Sequence, residues 1–281
     1  MILIRVFMLP KGTETNMIRM AKRLFRLERK RLQKRTEEAK KRGGVSASLF
    51  LEGDMNALSD ADCFFFYGSR IRPKGLLTVF FPDEEHAELT VAEYEPAEGM
   101  LPALYRSALK ECRRVGVEEI HTVRNPNCGF ECGRVDGIAF SYEWSEYMLC
   151  REMEALAALR PEIGKENTEV SMELKKEEAP EGDGTILYCL LRDGQKTAEC
   201  RIYATEGGMR CYLFGLKTEE AFRRMGMATR LLSEIAKEYR GHDGAVMRLQ
   251  VSSKNVPAER LYRKLGFRTE EEREYYKTKE C

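Results

Sequence analysis

The sequence has no apolar run near the roughly 18 residues that a membrane-spanning helix needs, so nothing in it predicts an integral membrane protein. It also has no excess of either charge, because 47 Lys and Arg residues are matched by 46 Asp and Glu residues among 281. The overall charge therefore gives no indication of a nucleic-acid partner. Residues 1–10 are too short and wrongly flanked for a signal peptide, and they predict a first strand instead.

Nine cysteines are scattered along the chain without the spacing of a disulfide framework. An odd number of scattered cysteines is typical of reduced thiols in the cytoplasm. His121, Cys128 and Cys132 are the combination that most suggests a metal, but one distant histidine and a Cys-x-x-x-Cys spacing lack a second ligand pair. The sequence therefore predicts a cytoplasmic protein without a metal site.

Residues 223–228 carry the strongest local signal in the chain. They lie between an apolar strand pattern at residues 211–216 and a helical pattern that starts near Phe222. A strand that leads through a small-residue turn into a helix points several free backbone N–H groups at one place. With the positive end of the helix dipole, these groups form an anion site. Gly226 would let a ligand approach the backbone closely, and Ala228 keeps the next turn narrow.

The turn matches neither of two common nucleotide-binding loops. It lacks the Gly-Lys-Ser/Thr ending of a P-loop and the Gly-x-Gly-x-x-Gly of a dinucleotide site. The spacing Arg223-x-x-Gly226-x-Ala228 instead resembles the pyrophosphate-binding turn of the GNAT acetyltransferase superfamily, which is written Arg/Gln-x-x-Gly-x-Gly/Ala.

A second pattern, at the expected distance along the chain, supports the same resemblance. It consists of Asn255, Ala258, Tyr262, Gly266 and Phe267 at the spacing Asn-x-x-Ala-x-x-x-Tyr-x-x-x-Gly-Phe. Asn255 predicts a helix N-cap, Pro257 fits the first turn, and Gly266 predicts the end of the helix. With two ordered signatures and the correct elements between them, the segment 184–277 is identified as a member of the GNAT superfamily.

The first half repeats the order of elements of a GNAT domain, which predicts a tandem arrangement. The predicted elements are a helical stretch at 14–42, strands at 63–67, 76–81 and 87–92, a helix at 101–115, a strand at 118–123 and a hairpin formed by 138–140 and 147–150. The expected fold class is α/β with a mixed sheet, in two tandem GNAT-like acyl-CoA N-acyltransferase domains. The expected boundaries are residues 1–152 and residues 153–281.

The two halves differ in what they predict for coenzyme binding. At the place of the phosphate turn, the first half has Glu93, Glu95 and Glu98 and no Arg-x-x-Gly-x-Gly/Ala. These carboxylates would repel a pyrophosphate, so the first half is not expected to bind coenzyme A. The second half has no room between Glu177 and Thr185 for the helices that usually wall the acceptor pocket. The first half or a second chain would have to supply that wall.

Acetyl transfer from a thioester to an amine needs a positioned thioester, a deprotonated amine and a stabilised leaving thiolate. The resemblance implies that acetyl-CoA is the acyl donor, held by the turn and by a strand end that pairs with its pantetheine arm. The implied coenzyme-binding residues are Leu216, Lys217, Thr218, Arg223, Arg224, Met225, Gly226, Met227, Ala228, Thr229 and Asn255. The resemblance also implies that Tyr262 donates a proton to the thiolate. The alternative is that Tyr262 is a half-buried helix aromatic.

The sequence leaves the general base open. The superfamily often places a glutamate on the strand before the turn, but residues 209–217 contain no carboxylate. Glu199 on the preceding strand and Glu206 at the hairpin are the candidate bases. Deprotonation of the amine through water is the other alternative.

The first half contains a strongly basic stretch, with twelve Lys and Arg residues against three Glu over residues 17–42. Such a stretch can bind nucleic acid, a membrane or an acidic partner. The balanced total charge and the lack of interleaved aromatics favour instead a solvated helix face that lines a pocket for an acidic substrate.

The sequence as a whole predicts an acetyl-CoA-dependent N-acetyltransferase that acetylates a primary amine of a small molecule or peptide. We expect a monomer or homodimer with no nucleic-acid partner and no membrane partner. The alternative function is a non-catalytic acyl-CoA-binding regulatory module that uses the basic helix to bind a partner.

Overall fold

The computed structural model describes residues 18–47, 63–129, 134–135, 137–160, 171–178, 184–241 and 244–278. The strand predicted within residues 1–10, Cys132 and the side chain of Glu206 lie outside the described part. The chain divides into two compact units. Unit 1 comprises Met1–Ser145 with Arg273–Cys281, and unit 2 comprises Glu146–Glu272.

Unit 1 contains a mixed sheet with a helix on each face. Its elements are β1 (Ile18–Ala21), α1 (Arg26–Lys40), β2 (Cys63–Gly68), β3 (Pro73–Phe80), β4 (His86–Glu93), α2 (Met100–Val115), β5 (Glu119–Arg124), β6 (Arg134–Val135), the start of β7 (Ile138–Glu152) and the end of β13 (Arg268–Thr278). The sheet order is β1-β2-β3-β4-β5-β13, and only β4 and β5 run parallel.

The core of unit 1 lies on both faces of this sheet. Strand β2 reads Cys-Phe-Phe-Phe-Tyr-Gly and is buried along nearly its whole length, as expected for a strand covered on both sides. Phe65 packs in the cluster that includes Leu104 of α2, and Phe64 packs in the cluster that includes Leu32 of α1. The alternation of side chains along β2 therefore supplies both layers.

Two predictions for unit 1 are wrong. Residues 18–21 were expected to be helical, but they form β1, which pairs with β2 and is buried at both ends. Helix α1 begins only at Arg26, where Glu28 accepts the N–H of Phe25 at 3.1 Å. The hairpin expected at 138–150 is a single 15-residue strand, β7, because its start pairs with β6 and its end with a strand of unit 2.

The sheet strands of unit 2 are also a mixture of parallel and antiparallel pairs. The elements of this unit are the end of β7, α3 (Met153–Ala157), β8 (Met172–Glu178), β9 (Thr185–Arg192), β10 (Gln195–Thr205), β11 (Arg210–Thr218), α4 (Met227–Tyr239), β12 (Val246–Ser252), α5 (Val256–Lys264) and the start of β13. The strands from β7 to β8 lie in the order β7-β12-β11-β10-β9-β8, and only β11 and β12 run parallel.

The helix after β11 begins later than predicted. Phe222 belongs to a short 3-10 turn, Glu220–Phe222, and α4 starts at Met227. Leu231, Leu232 and Ile235 are fully buried against the sheet, which confirms the predicted apolar face from that point onward.

Among the described residues, no helix combines the length and the apolar character that a transmembrane span requires.

Candidate active site

The turn between β11 and α4 leaves the start of α4 uncapped. Gly226 lies immediately before the helix with φ 77° and ψ 7°, a left-handed conformation that glycine adopts without strain. No side chain caps this end, and its first turn contains no acidic residue. The N–H groups of Met227, Ala228 and Thr229 therefore point out of the helix without an intrahelical acceptor. This arrangement favours an anion.

The arginines before Gly226 shape the same turn. Arg224 has a positive φ of 63°, which is uncommon outside glycine. The Nε atom of Arg223 donates a hydrogen bond to the carbonyl oxygen of Thr218 at 3.3 Å, so the turn is tied back to the end of β11. Both arginine side chains are exposed. Their positive charge adds to that of the helix start.

Strand β11 contains a β-bulge just before this turn. Glu199 of β10 pairs with Lys217, whereas Arg201 pairs with Phe214, so β11 has one extra residue between these pairs. Gly215 lies in the bulge with φ 63°. A bulge of this kind bends its strand and increases the local twist. Glycine adopts this left-handed conformation without strain.

The bulge coincides with a gap between the two parallel strands. Strand β11 pairs with β12 only as far as Leu213, which lies opposite Leu249. Beyond that point β12 continues along β7 to Ser252, and β11 continues along β10 to Thr218. No other described segment forms a bridge in this gap. The backbone near Leu216 is therefore available to an extended ligand that pairs as an additional strand.

Helix α5 carries the second sequence signature. The side chain of Asn255 accepts the N–H of Ala258 at 3.3 Å, which confirms the predicted N-cap. Tyr262 is only 8% exposed, and its ring meets that of Phe267 edge-on at 5.6 Å. Burial raises the pKa of Tyr262 to about 12. The phenol is therefore neutral at physiological pH and keeps a proton that it could donate.

The sequence and the fold are similar to those of known proteins. Residues 195–276 match a family described as FR47-like protein. An acetyltransferase from the GNAT family of Colwellia psychrerythraea is 14% identical, covering 92% of this chain and 99% of its own, with a TM-score of 0.55. A tandem GNAT protein from the clavulanic acid biosynthesis pathway, in a structure without AcCoA, is 13% identical. The similarity covers 76% of this chain and 82% of that protein, with a TM-score of 0.53.

The chain has a tandem GNAT fold. A GCN5-related N-acetyltransferase from Sphaerobacter thermophilus is also similar, with 10% identity and a TM-score of 0.53. The similarity covers 80% of this chain and 82% of that protein. No curated protein matches the sequence. The predicted superfamily resemblance and the predicted fold class are both confirmed.

In the first GNAT unit, the corresponding gap is filled by the chain itself. Strands β4 and β5 pair only as far as Leu89 and Thr122 and then diverge. Ser46 lies between them: its N–H donates to the Val91 carbonyl of β4 at 2.8 Å, and its carbonyl accepts the N–H of Asn125 just after β5. Val45 forms an isolated antiparallel bridge with Ala92, and the N–H of Glu93 donates to the carbonyl oxygen of Gly44 at 2.6 Å. We call residues 44–46 the gap strand.

The helix start of the first GNAT unit also differs from that of the second. Gly99 precedes α2 with φ 70° and ψ 1°, nearly the conformation of Gly226. The third residue of α2 is Pro102, which has no N–H, so one of the outward-pointing donors is missing. The pairing of β4 with β3 has no register shift, and hence there is no bulge comparable to that of β11.

Arg151 supports the end of helix α5 and was not predicted from the sequence. Its guanidinium donates to the carbonyl oxygens of Leu265 and, at 3.3 Å, of Ala155. Gly266 has φ 78°, and a Cβ there would lie 1.6 Å from Arg151 Nη1. Gly266 thus ends the helix and leaves room for this arginine. Sequence reasoning could predict the first role but had no signal for the second.

The candidate base Glu199 is paired with a lysine. Its carboxylate accepts a hydrogen bond from Lys196 Nζ at 2.8 Å, and this bond is the main reason that the pKa of Glu199 lies below its usual value. Cys200, next along β10, is buried in the core cluster that contains Tyr262. Because side chains alternate along a strand, Glu199 faces the opposite side of the sheet.

That opposite face of the second GNAT unit is partly open. Tyr203 and Phe214 are 41% and 42% exposed on neighbouring strands. Only residues 179–184 separate β8 from β9.

In the described ranges, no group of three or more His, Cys, Asp or Glu could hold a metal ion. His121, considered above as a ligand, is hydrogen-bonded to Glu143 at 3.0 Å.

Proposed function

We propose that this protein is an acetyl-CoA-dependent N-acetyltransferase with one coenzyme site per chain, in unit 2. The observation that carries the proposal is the coincidence of two features at one strand end. The uncapped start of α4 offers donors to a pyrophosphate, and the gap beyond Leu213 offers backbone to the pantetheine arm. Either feature alone is common, but together they accommodate both parts of one ligand.

The turn and the strand edge position the thioester. Backbone amides from about Arg224 to Thr229 bind the pyrophosphate, with Arg223 holding the turn against β11. The edge of Leu216, Lys217 and Thr218 pairs with the amides of the pantetheine arm. This fixes the thioester near the open end of the gap, where an amine can reach it.

Tyr262 supplies the proton for the leaving group. The amine nitrogen forms a bond to the thioester carbonyl carbon, and the carbon–sulfur bond then breaks. The thiolate takes the Tyr262 proton, and the phenolate is later reprotonated from solvent. The raised pKa, about 12, keeps Tyr262 protonated at neutral pH, so its proton is present when the thiolate forms.

Water is the better candidate for removing the amine proton. Glu199 remains a candidate, but its lowered pKa makes it a weaker base than an ordinary glutamate. An amine that enters from the open sheet face could lose its proton through a water chain to this carboxylate. The acceptor is a primary amine of a small molecule or a peptide.

The first GNAT unit is proposed not to bind coenzyme. The gap strand occupies the position that a pantetheine arm would need, and Ser46, which hydrogen-bonds to both flanking segments, is 1% exposed. Pro102 removes a phosphate donor, and Glu95 and Glu98 lie in the turn before α2. The unit thus keeps the fold of a GNAT domain with its ligand position filled.

A thiol-release assay with acetyl-CoA and a panel of amines tests the enzymatic function. The expected result is free coenzyme A together with an acceptor whose mass increases by one acetyl group. Peptides with a free N-terminus, lysine-containing peptides and small polyamines form the panel. Acetyl-CoA binding without turnover of any amine would overturn the enzyme proposal and favour an acyl-CoA-binding regulatory module.

A further inference from the structure

The start of α1 and the loop between β2 and β3 expose large apolar side chains in unit 1. Phe25, Leu27 and Ile71 are 61%, 81% and 71% exposed. Single exposed apolar residues are ordinary on protein surfaces, but three large ones in one place indicate a contact surface. We define the basic-apolar patch as Arg23, Phe25, Arg26, Leu27, Lys30, Arg31, Ile71 and Arg72.

Arg70 joins the two segments of the patch. Its guanidinium donates to both carboxylate oxygens of Glu28 at 2.5 and 2.8 Å and to the carbonyl oxygen of Arg23 at 2.9 Å. It also lies 5.7 Å from the centre of the Phe25 ring. Ile71, the next residue, is thereby held beside the start of α1. The patch is continuous rather than two separate groups.

The patch carries a strong positive charge. Five of its members are exposed cations: Arg23, Arg26, Lys30, Arg31 and Arg72, of which Arg72 lies 3.5 Å from the carboxylate of Glu95. Glu28 is the acidic residue within this part of α1, and it is buried and paired with Arg70, so it does not offset them. The patch therefore attracts anions although the whole chain is nearly neutral.

We propose that the basic-apolar patch binds the surface of a bilayer rich in anionic lipids. Anionic headgroups complement the cations, and the boundary between headgroups and acyl chains accommodates Phe25, Leu27 and Ile71. A nucleic acid offers phosphates but no apolar phase for Leu27 and Ile71. A symmetric contact with a second copy of the chain would bring the same cations together and would be repulsive.

This proposal departs from the expectation of no membrane partner. That expectation rested on the balanced total charge and on the absence of a spanning segment. Peripheral binding requires neither, because it depends on the local charge and on a few inserted side chains. The exposure of Leu27 and Ile71, which a sequence does not reveal, is the deciding observation.

Flotation of the full chain with lipid vesicles tests the proposal. Vesicles of phosphatidylcholine alone should bind little protein, whereas an equimolar mixture with phosphatidylserine should bind it, and added salt should weaken this binding. A Leu27→Ser/Ile71→Ser variant keeps every charge and should bind the mixed vesicles about tenfold more weakly. An Arg26→Glu/Lys30→Glu variant should lose binding to them.

A matched control removes exposed apolar side chains elsewhere in the same unit. Phe80 and Val115 are 40% and 48% exposed, and a Phe80→Ser/Val115→Ser variant should bind like the wild type. Circular dichroism and thermal midpoints check that each variant is folded. Absence of binding to anionic vesicles would overturn the proposal. So would equal binding by the Leu27→Ser/Ile71→Ser variant.

Discussion

Gly99 and Gly226 have nearly the same backbone conformation, with φ/ψ of 70°/1° and 77°/7°, and each immediately precedes a helix that follows a parallel-paired strand. The two GNAT units therefore share the backbone geometry of the phosphate turn. They differ in what surrounds it: the second has an open gap and a full set of helix-start amides, and the first has the gap strand and Pro102.

Replacement of Tyr262 by Phe tests its role as the acid. We expect Tyr262→Phe to lower kcat about a hundredfold or more while the KM for acetyl-CoA changes little, because the proton is needed only as the thiolate leaves. Steady-state kinetics measures both constants. An unchanged kcat would show that Tyr262 is only a buried helix aromatic.

Two buried tyrosines predict a loss of stability at high pH. Burial raises the pKa of Tyr94 and of Tyr262 to about 12, from an ordinary value of 10. Above pH 10 the unfolded state loses these protons first, so stability is full below pH 10 and falls as the pH rises through 12. By linkage each group accounts for at most about 3 kcal/mol.

Urea unfolding at several alkaline pH values checks this prediction. The Tyr94→Phe/Tyr262→Phe variant should lose stability less steeply with pH than the wild type. It should also be about 1 kcal/mol less stable at neutral pH, because Tyr94 loses its 3.1 Å hydrogen bond with Thr36. If the free energy of unfolding fell equally steeply with pH in both proteins, Tyr94 and Tyr262 would not be the cause of the alkaline loss of stability.

The gap strand predicts a steric cost at Gly44. A Cβ at this position would lie 2.8 Å from the carbonyl oxygen of Glu93. Gly44→Ala should therefore lower the free energy of unfolding by about 1–3 kcal/mol. Gly241→Ala is the matched control, because a Cβ there meets nothing within 4 Å. Equal unfolding midpoints for the two variants would show that the gap strand is not tightly held.

Gly266 and Gly116 form a second matched pair. Both follow a helix in the left-handed conformation, with φ 78° and 92°. A Cβ at Gly116 meets nothing, whereas one at Gly266 collides with Arg151. The guanidinium of Arg151 would have to move away and give up its hydrogen bonds to the Leu265 and Ala155 carbonyl oxygens, so Gly266→Ala should cost about 1 kcal/mol more than Gly116→Ala. Thermal unfolding of both variants provides the comparison.

Much of unit 2 could be predicted because its signals are local. Gly226, Asn255 and Gly266 each mark a helix end through the conformation or capping group of a single residue. The helix start near Phe222 was predicted five residues too early, since the apolar period continued through a 3-10 turn. The glycine at position 215 is the kind of signal that indicates a bulge within a strand.

The features that were missed depend on contacts between distant segments. Residues 18–21 have no clear strand pattern, and pairing with β2 decides their conformation. The gap strand joins residues 44–46 to Val91 and Asn125, far apart in sequence, so no local pattern could predict it. The same holds for Arg151, whose partner carbonyl belongs to Leu265.

Calorimetric titration with acetyl-CoA tests the central claim most directly. The wild type should bind one molecule per chain. Gly226→Glu should weaken binding roughly a hundredfold or more, because it adds strain and a negative charge at the pyrophosphate site. Gly99→Glu makes the same change at the matching position of unit 1 and should leave the affinity unchanged. Two molecules bound per chain, or loss of binding in Gly99→Glu but not in Gly226→Glu, would contradict the claim.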